Sequence, residues 1–266
     1  MAVHPLSKRV YFSVQSGDGT PALLRINGGK FEAVPLTNIR YSSTAINNAV
    51  EDKVDDRGRS QRVWAISDIN YFDDKVMVTG LSNQEFSSTF RSIPFPFGKT
   101  QDQSSIEIWH AAHGRYETYS PIKTFTATTI NGKEQLIASY TCTPLVLIPL
   151  DELAPGKHVK GRTVAELGSS NSPLDIVVME KKGEKFLLMA NSNRAIMKIK
   201  LSDIESFEGK LTEPVSESYA TDGVAFINLP VTNVIQLDKM DESRFVVLQR
   251  KSNGSLDLWT GGERYL

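Results

Sequence analysis

An all-β fold laid out as a β-propeller is what this sequence predicts, and three observations predict it. A unit of roughly fifty residues recurs, with copies starting at Ser67, Pro121, Pro173 and Pro230, so 54, 52 and 57 residues apart. Each copy reads strand, tight turn, strand, polar loop, strand. The strand runs, such as KVMVTGL and TFTATTI, are short and rich in β-branched side chains. Such units cannot bury their faces alone and stack as the blades of one domain.

Taken in order, the first blade covers residues 2–41 and is incomplete. Val10 to Val14 reads as a strand, ALLRI follows, and Asn27-Gly28 is a hairpin signal before FEAVPL. In the other copies a strand precedes this part; here only Ala2 and Val3 stand in its place. Residues 42–62 form a polar excursion with no strand pattern, either a short helix and loop or a functional insertion.

The second blade, 63–113, has strands expected near Ile69–Phe72, Lys75–Leu81, Thr89–Phe95 and Ser105–His110. The third, 121–168, has them at Thr124–Ile130, Gln135–Tyr140, Leu145–Ile148 and Arg162–Leu167, with Asn131-Gly132 as its first turn. The fourth, 173–220, uses Asp175–Met179, Phe186–Ala190, Ile196–Leu201 and Val215–Tyr219. The fifth, 230–266, uses Val234–Leu237, Arg244–Gln249, Leu256–Trp259 and Glu263–Leu266. About five four-stranded blades are therefore expected. They close as a small ring or form part of a six- or seven-bladed one, with absent blades or another chain at the seam.

The opening AVHPLSKRVYFSV resembles the repeats of YVTN and NHL-type β-propellers. GLSNQEFSSTFRSIPFPF, HAAHGRYETYSPI and SYTCTPLVLIPL look like segments of a group of bacterial propeller proteins. The resemblance implies six or seven blades, and it specifies fold rather than chemistry.

Composition narrows function. Thirty basic and 31 acidic residues leave a net charge of −1, which supplies no field for nucleic acid or an anionic membrane. The longest nearly apolar run, Pro144 to Leu150, is too short to span a bilayer. One cysteine, Cys142, excludes an internal disulfide and any multi-cysteine metal site. No signal peptide follows Met1, so a cytoplasmic protein is expected, or a periplasmic or secreted one whose signal has been removed.

Propeller topology sorts loops by face. The longer class holds 82–86, 141–143, 191–194, 251–254, the 42–62 excursion and 110–120, and a site is expected there. His110 and His113 are three apart and would share one face of a helical turn. With Cys142 in the next blade they could ligate copper or zinc. The default reading is structural: His110 ends a strand, His113 caps a turn and Cys142 is a small buried hydrophobe. Asp68 and Asp175 start equivalent inner strands. They could hold calcium at the channel mouth, as in propeller lactonases and phosphotriesterases, or form Asx turns. Asn83, Asn191, Asn193 and Arg194 are the ligand-binding candidates, with Arg194 forking onto a carboxylate of a ligand or a neighbouring blade.

No nucleophile elbow, P-loop, dinucleotide turn or haem attachment site is present, and no motif nominates a serine. The expected function is a non-enzymatic binding or scaffold module that presents its loop-rich face to a protein or small ligand. A metal-dependent enzyme or metal site on that face is the alternative.

Overall fold

Short apolar runs joined by left-handed turn residues give the hairpins. Asp73 and Asp74, Asn131 and Gly132, and Lys182 and Gly183 take positive φ in succession, the twist that two-residue hairpins need. In the first hairpin Asn27 pairs with Lys30. The turn there is Gly28-Gly29, one residue later than the Asn-Gly signal suggests. The computed structural model describes residues 1–55, 58–217 and 219–266.

Strand makes up 48% of the chain and helix 6%, so the class is all-β and the layout propeller-like. The first sheet runs Ala2–Val3, Val10–Gln15, Pro21–Asn27, Lys30–Ala33. The second runs Asp68–Phe72, Lys75–Leu81, Ser88–Pro94, Asp102–His110. The third runs Thr124–Ile130, Lys133–Ser139, Pro144–Pro149, Arg162–Glu166, and the fourth begins Pro173–Lys181, Glu184–Asn191, Met197–Lys200. The fifth has three strands, Val234–Lys239, Phe245–Arg250 and Leu256–Gly261.

Apolar side chains fill the spaces between consecutive sheets. Phe90, Ile106, Phe125 and Leu136 join the second to the third. Ile137, Leu147, Leu187 and Met189 join the third to the fourth. Phe186, Leu188, Leu237 and Phe245 join the fourth to the fifth, and Val10, Phe12 and Val246 join the fifth to the first. The first strands of the five sheets line one axial cavity of about 560 Å³, and no closed ring is seen among the described residues.

Carboxylates stitch the inner strands together. Asp68 Oδ2 accepts the Phe125 N–H at 2.9 Å, Asp175 Oδ2 the Leu237 N–H at 2.7 Å, and Asp238 Oδ2 the Val3 N–H at 2.6 Å. Burial pushes Asp68 up to about 6 and Asp175 to about 7 despite these bonds, because the charged form loses water.

Four elements depart from the sequence pattern. The fourth strand of the fourth sheet is Ile227–Asn228, paired with Met197 and Lys198, not Val215–Tyr219. Of that stretch Ser218 lies outside the described residues, and the rest forms no strand. Instead, Asp222–Gly223 adds to the outer edge of the third sheet. At the C-terminus, Glu263–Tyr265 turns as a 3₁₀ helix instead of a strand. Tyr265 packs there on Trp259 and Phe245, and Lys181 Nζ holds the carbonyls of Glu263 and Leu266. Finally, His158–Lys160 leaves the third sheet to pair in parallel with Ser105–Glu107 of the second.

The excursion has no α-helix among its described residues and lies as an extended loop against the second sheet. Asp56 and Arg57 of it lie outside the described residues. Val50 and Ala65 bury with Leu81, and the Asn47 carbonyl accepts from Arg91 Nη2 at 3.1 Å. The approach is close enough that position 80 must be glycine, since a Cβ there would run into the Ala65 carbonyl.

Candidate metal centre

The strand Asp102–His110 ends in a tight turn, and Gly114 takes φ 60° so that Arg115–Glu117 can fold back along it. Ile108 pairs with Glu117 and His110 with Arg115. Opposed residues of an antiparallel pair share a face, so the Glu117 carboxylate reaches both imidazoles from below. His110 Nδ1 lies 3.0 Å from Oε2, and His113 Nδ1 lies 2.7 Å from Oε1. Ser120 Oγ donates to Oε2 at 2.6 Å and Arg115 Nε to Oε1 at 3.3 Å. The histidines therefore meet on a β-turn, with ring centroids 3.9 Å apart, where the spacing had suggested a helical turn.

The third member comes from the next sheet. Cys142 and Thr143 both take left-handed backbone, φ 68° and 58°, a conformation that costs roughly 1–3 kcal/mol per non-glycine residue and persists where surroundings enforce it. The enforcement is visible. The Cys142 N–H donates to the Asn171 carbonyl at 2.7 Å, and Thr143 Oγ1 to the Gly168 carbonyl at 2.8 Å. One ligand atom from each of His110, His113 and Cys142 lies within 4.8 Å of the others. Cys142 is half-buried rather than sealed in the core.

The electrostatics fit an ionised Glu117. Burial alone would raise it; bonds from His110, Ser120 and His113 outweigh burial and hold it below the usual carboxylate range. An acceptor-only carboxylate fixes the proton of each ring on Nδ1, which leaves Nε2 as the lone-pair nitrogen. His110 is 1% exposed, and its Nε2 has no hydrogen-bond partner among the described residues. The nearest acidic oxygen is Glu166 Oε2 at 4.0 Å. Glu166 is fully buried and accepts from the Ala112 N–H at 3.1 Å through Oε2, while Oε1 has no partner among the described residues. Burial, with Glu117 nearby, pushes Glu166 up to about 8. The hydroxyls of Tyr140 and Ser88 are buried beside each other nearby. Polar groups so enclosed ordinarily satisfy one another, an ordered water or an ion.

Two sulfur-and-nitrogen features suit borderline metals: a thiol and two imidazoles whose outer nitrogens are anchored. Ligands around zinc sit about 2.0–2.3 Å from the ion, so the trio needs small side-chain rotations to close, and His113 is exposed enough to make them.

The remaining candidates lie elsewhere. Asp68 and Asp175 each bond the backbone of the next sheet through Oδ2, and the inner carboxylates form no converging trio among the described residues. Asn191 is buried, donating to the Met189 and Ala195 carbonyls and accepting from Asn171. Asn193 braces the same loop through Asn171 and Ser170. Arg194 packs over Gly168 and donates to the Ser169 carbonyl at 3.2 Å. Asn83 is exposed, and its Oδ1 accepts from Gln84. Glu117 and Glu166 carried no motif that could have nominated them. Only the hairpin register and the sheet contact bring them in.

No known protein-family model matches the chain, and no curated protein matches its sequence.

Proposed function

We propose that the chain is a metal-binding propeller module whose centre, His110, His113 and Cys142, takes zinc. The observation that carries this reading is the single carboxylate of Glu117 holding both Nδ1 atoms, with a ring nitrogen of each imidazole within 4.8 Å of the Cys142 sulfur. Three protein ligands of this type leave a fourth position for water or a small ligand, and the exposed His113 opens that position to the loop-rich face. A partner protein or small molecule would be met there. The bound metal would act as a Lewis acid, while Glu117 orients the imidazoles and Glu166 lies next to His110.

Metal content of protein purified without chelator tests the reading. About one zinc per chain is expected, and its loss in the H110A/H113A variant ties it to this centre. Copper at the same stoichiometry would change the metal and keep the site. Protein that folds, takes up neither ion on titration and is unaffected by chelator would overturn it.

A further inference from the structure

The parallel strand His158–Lys160 does more than extend the second sheet. Its register sets His158 opposite Ser105 and Lys160 opposite Glu107. Ser105 Oγ and His158 Nδ1 are 2.8 Å apart, and His158 Nε2 lies 3.7 Å from Glu107 Oε2. Glu107 is held in turn by Lys160, Nζ to Oε1 at 2.8 Å. The Lys160 hydrogen bond and the Lys160 charge outweigh burial and keep the Glu107 carboxyl below its usual range. Phe86 stacks on the imidazole with centroids 4.0 Å apart and planes 28° from parallel, which fixes the ring orientation. Ser105 and His158 both line an open groove of about 490 Å³, together with Phe86, Gln103 and Lys157.

We infer that Ser105, His158 and Glu107 form a nucleophilic triad for acyl transfer from carboxylic esters. The site is separate from the metal centre: Ser105 precedes His110 by five residues on one strand, roughly 16 Å at about 3.3 Å per residue. Such triads are defined by geometry and roles, not by chain order. Here the ring is used in the reverse sense, with the serine on Nδ1 and the carboxylate toward Nε2. A carboxylate facing Nε2 favours the tautomer with the proton on that nitrogen, which leaves Nδ1 as the base for the hydroxyl.

The reaction balances without another reagent. Ser105 Oγ bonds to the ester carbonyl carbon, and its proton passes to His158 Nδ1. The carbon–oxygen bond to the alcohol then breaks, and the alcohol leaves with that proton. Water adds to the acyl-serine, giving up a proton to His158, and the acid departs as Ser105 takes the proton back. The Gln103 side chain, two residues along the same face, and the Lys157 ammonium are the groups available to the developing oxyanion. Ser105 and His158 are the catalytic residues in this assignment, and Glu107 is a positioning residue.

A fluorophosphonate probe on the full-length protein, read by intact mass and peptide mapping, tests this. One adduct on Ser105 is expected, unchanged by chelator, absent in S105A and slowed by about a hundredfold or more in H158N. Hydrolysis of p-nitrophenyl acetate should fall with it. In E107Q labelling of Ser105 should persist at a reduced rate, and E107D, which keeps the carboxylate, should restore it. The charged groups around His158 are Glu107 and Lys160 from the paired strands, with Glu85 and Lys157 across the groove. Folded protein that takes no adduct, or takes one that survives in S105A, overturns the assignment. Should S105A fail to fold, H158N carries the same comparison.

Discussion

Replacing Glu117 by glutamine separates a metal centre from a structural histidine pair. The carboxylate accepts at four points: His110 and Ser120 on Oε2, His113 and Arg115 on Oε1. Glutamine has the same shape with one acceptor oxygen and one donor nitrogen. Whichever imidazole faces the amide nitrogen must present a lone pair at Nδ1, so its proton moves to Nε2 and blocks the ligand position. If the amide nitrogen sits at the Oε2 position, Ser120 can reverse its hydroxyl but His110 has to change tautomer. If it sits at Oε1, the exposed Arg115 can swing away but His113 has to change. Either way one of three ligands is compromised.

Losing such an outer partner typically weakens metal affinity 10–100-fold, about 1.4–2.7 kcal/mol. Zinc titration against a competing chelator, with wild type and E117Q side by side, measures this directly. A folded E117Q that binds zinc as tightly as wild type would refute the reasoning, because the carboxylate would then not be setting the tautomers.

Three further outcomes follow from the same geometry. In C142S, cobalt-loaded protein should lose its sulfur-to-metal charge-transfer absorption, while stability without metal stays within about 0.5 kcal/mol of wild type, as thermal melting would show. D175N should gain stability over wild type as pH rises. Asp175 stands at about 7 against an ordinary 3.8; a carboxyl raised on folding favours the folded state while protonated, and that advantage is complete below about pH 4 and is lost through pH 7. The difference is about three pH units at about 1.4 kcal/mol each, an upper bound near 4 kcal/mol, and asparagine still accepts the Leu237 N–H; parallel melting curves for the two proteins from pH 5 to 9, with chelator present, would count against it. G80A should destabilise by about 1–3 kcal/mol in a denaturant titration, since its methyl group displaces the Ala65 carbonyl.

The repeat carried the fold because a sheet writes its period locally. Apolar runs such as KVMVTGL and FLLMA, and turns such as Asn131-Gly132, depend on neighbours only a few residues away. The weak outer strands were another matter. Ile227–Asn228 and Asp222–Gly223 are two residues each, too short to show alternation, and they exist because an edge was available to pair. Glu263–Tyr265 carries strand-like residues but finds aromatic partners at Trp259 and Phe245 instead of an open edge.

The candidate sites divide the same way. By itself the sequence determined an all-β repeat and a His-x-x-His beside a lone cysteine in the next unit. It could not show that Asp68 and Asp175 bond across to the next sheet, since that depends on which strands lie side by side at the axis. Nor could it show Glu117 beneath both imidazoles, Glu166 beside His110, or His158 laid against Ser105 fifty-three residues away. Each of these is a matter of strand register, where a shift of one residue turns a side chain to the opposite face. Local pattern is therefore legible from composition and spacing, while chemistry that needs two strands to meet is decided only by how they pair.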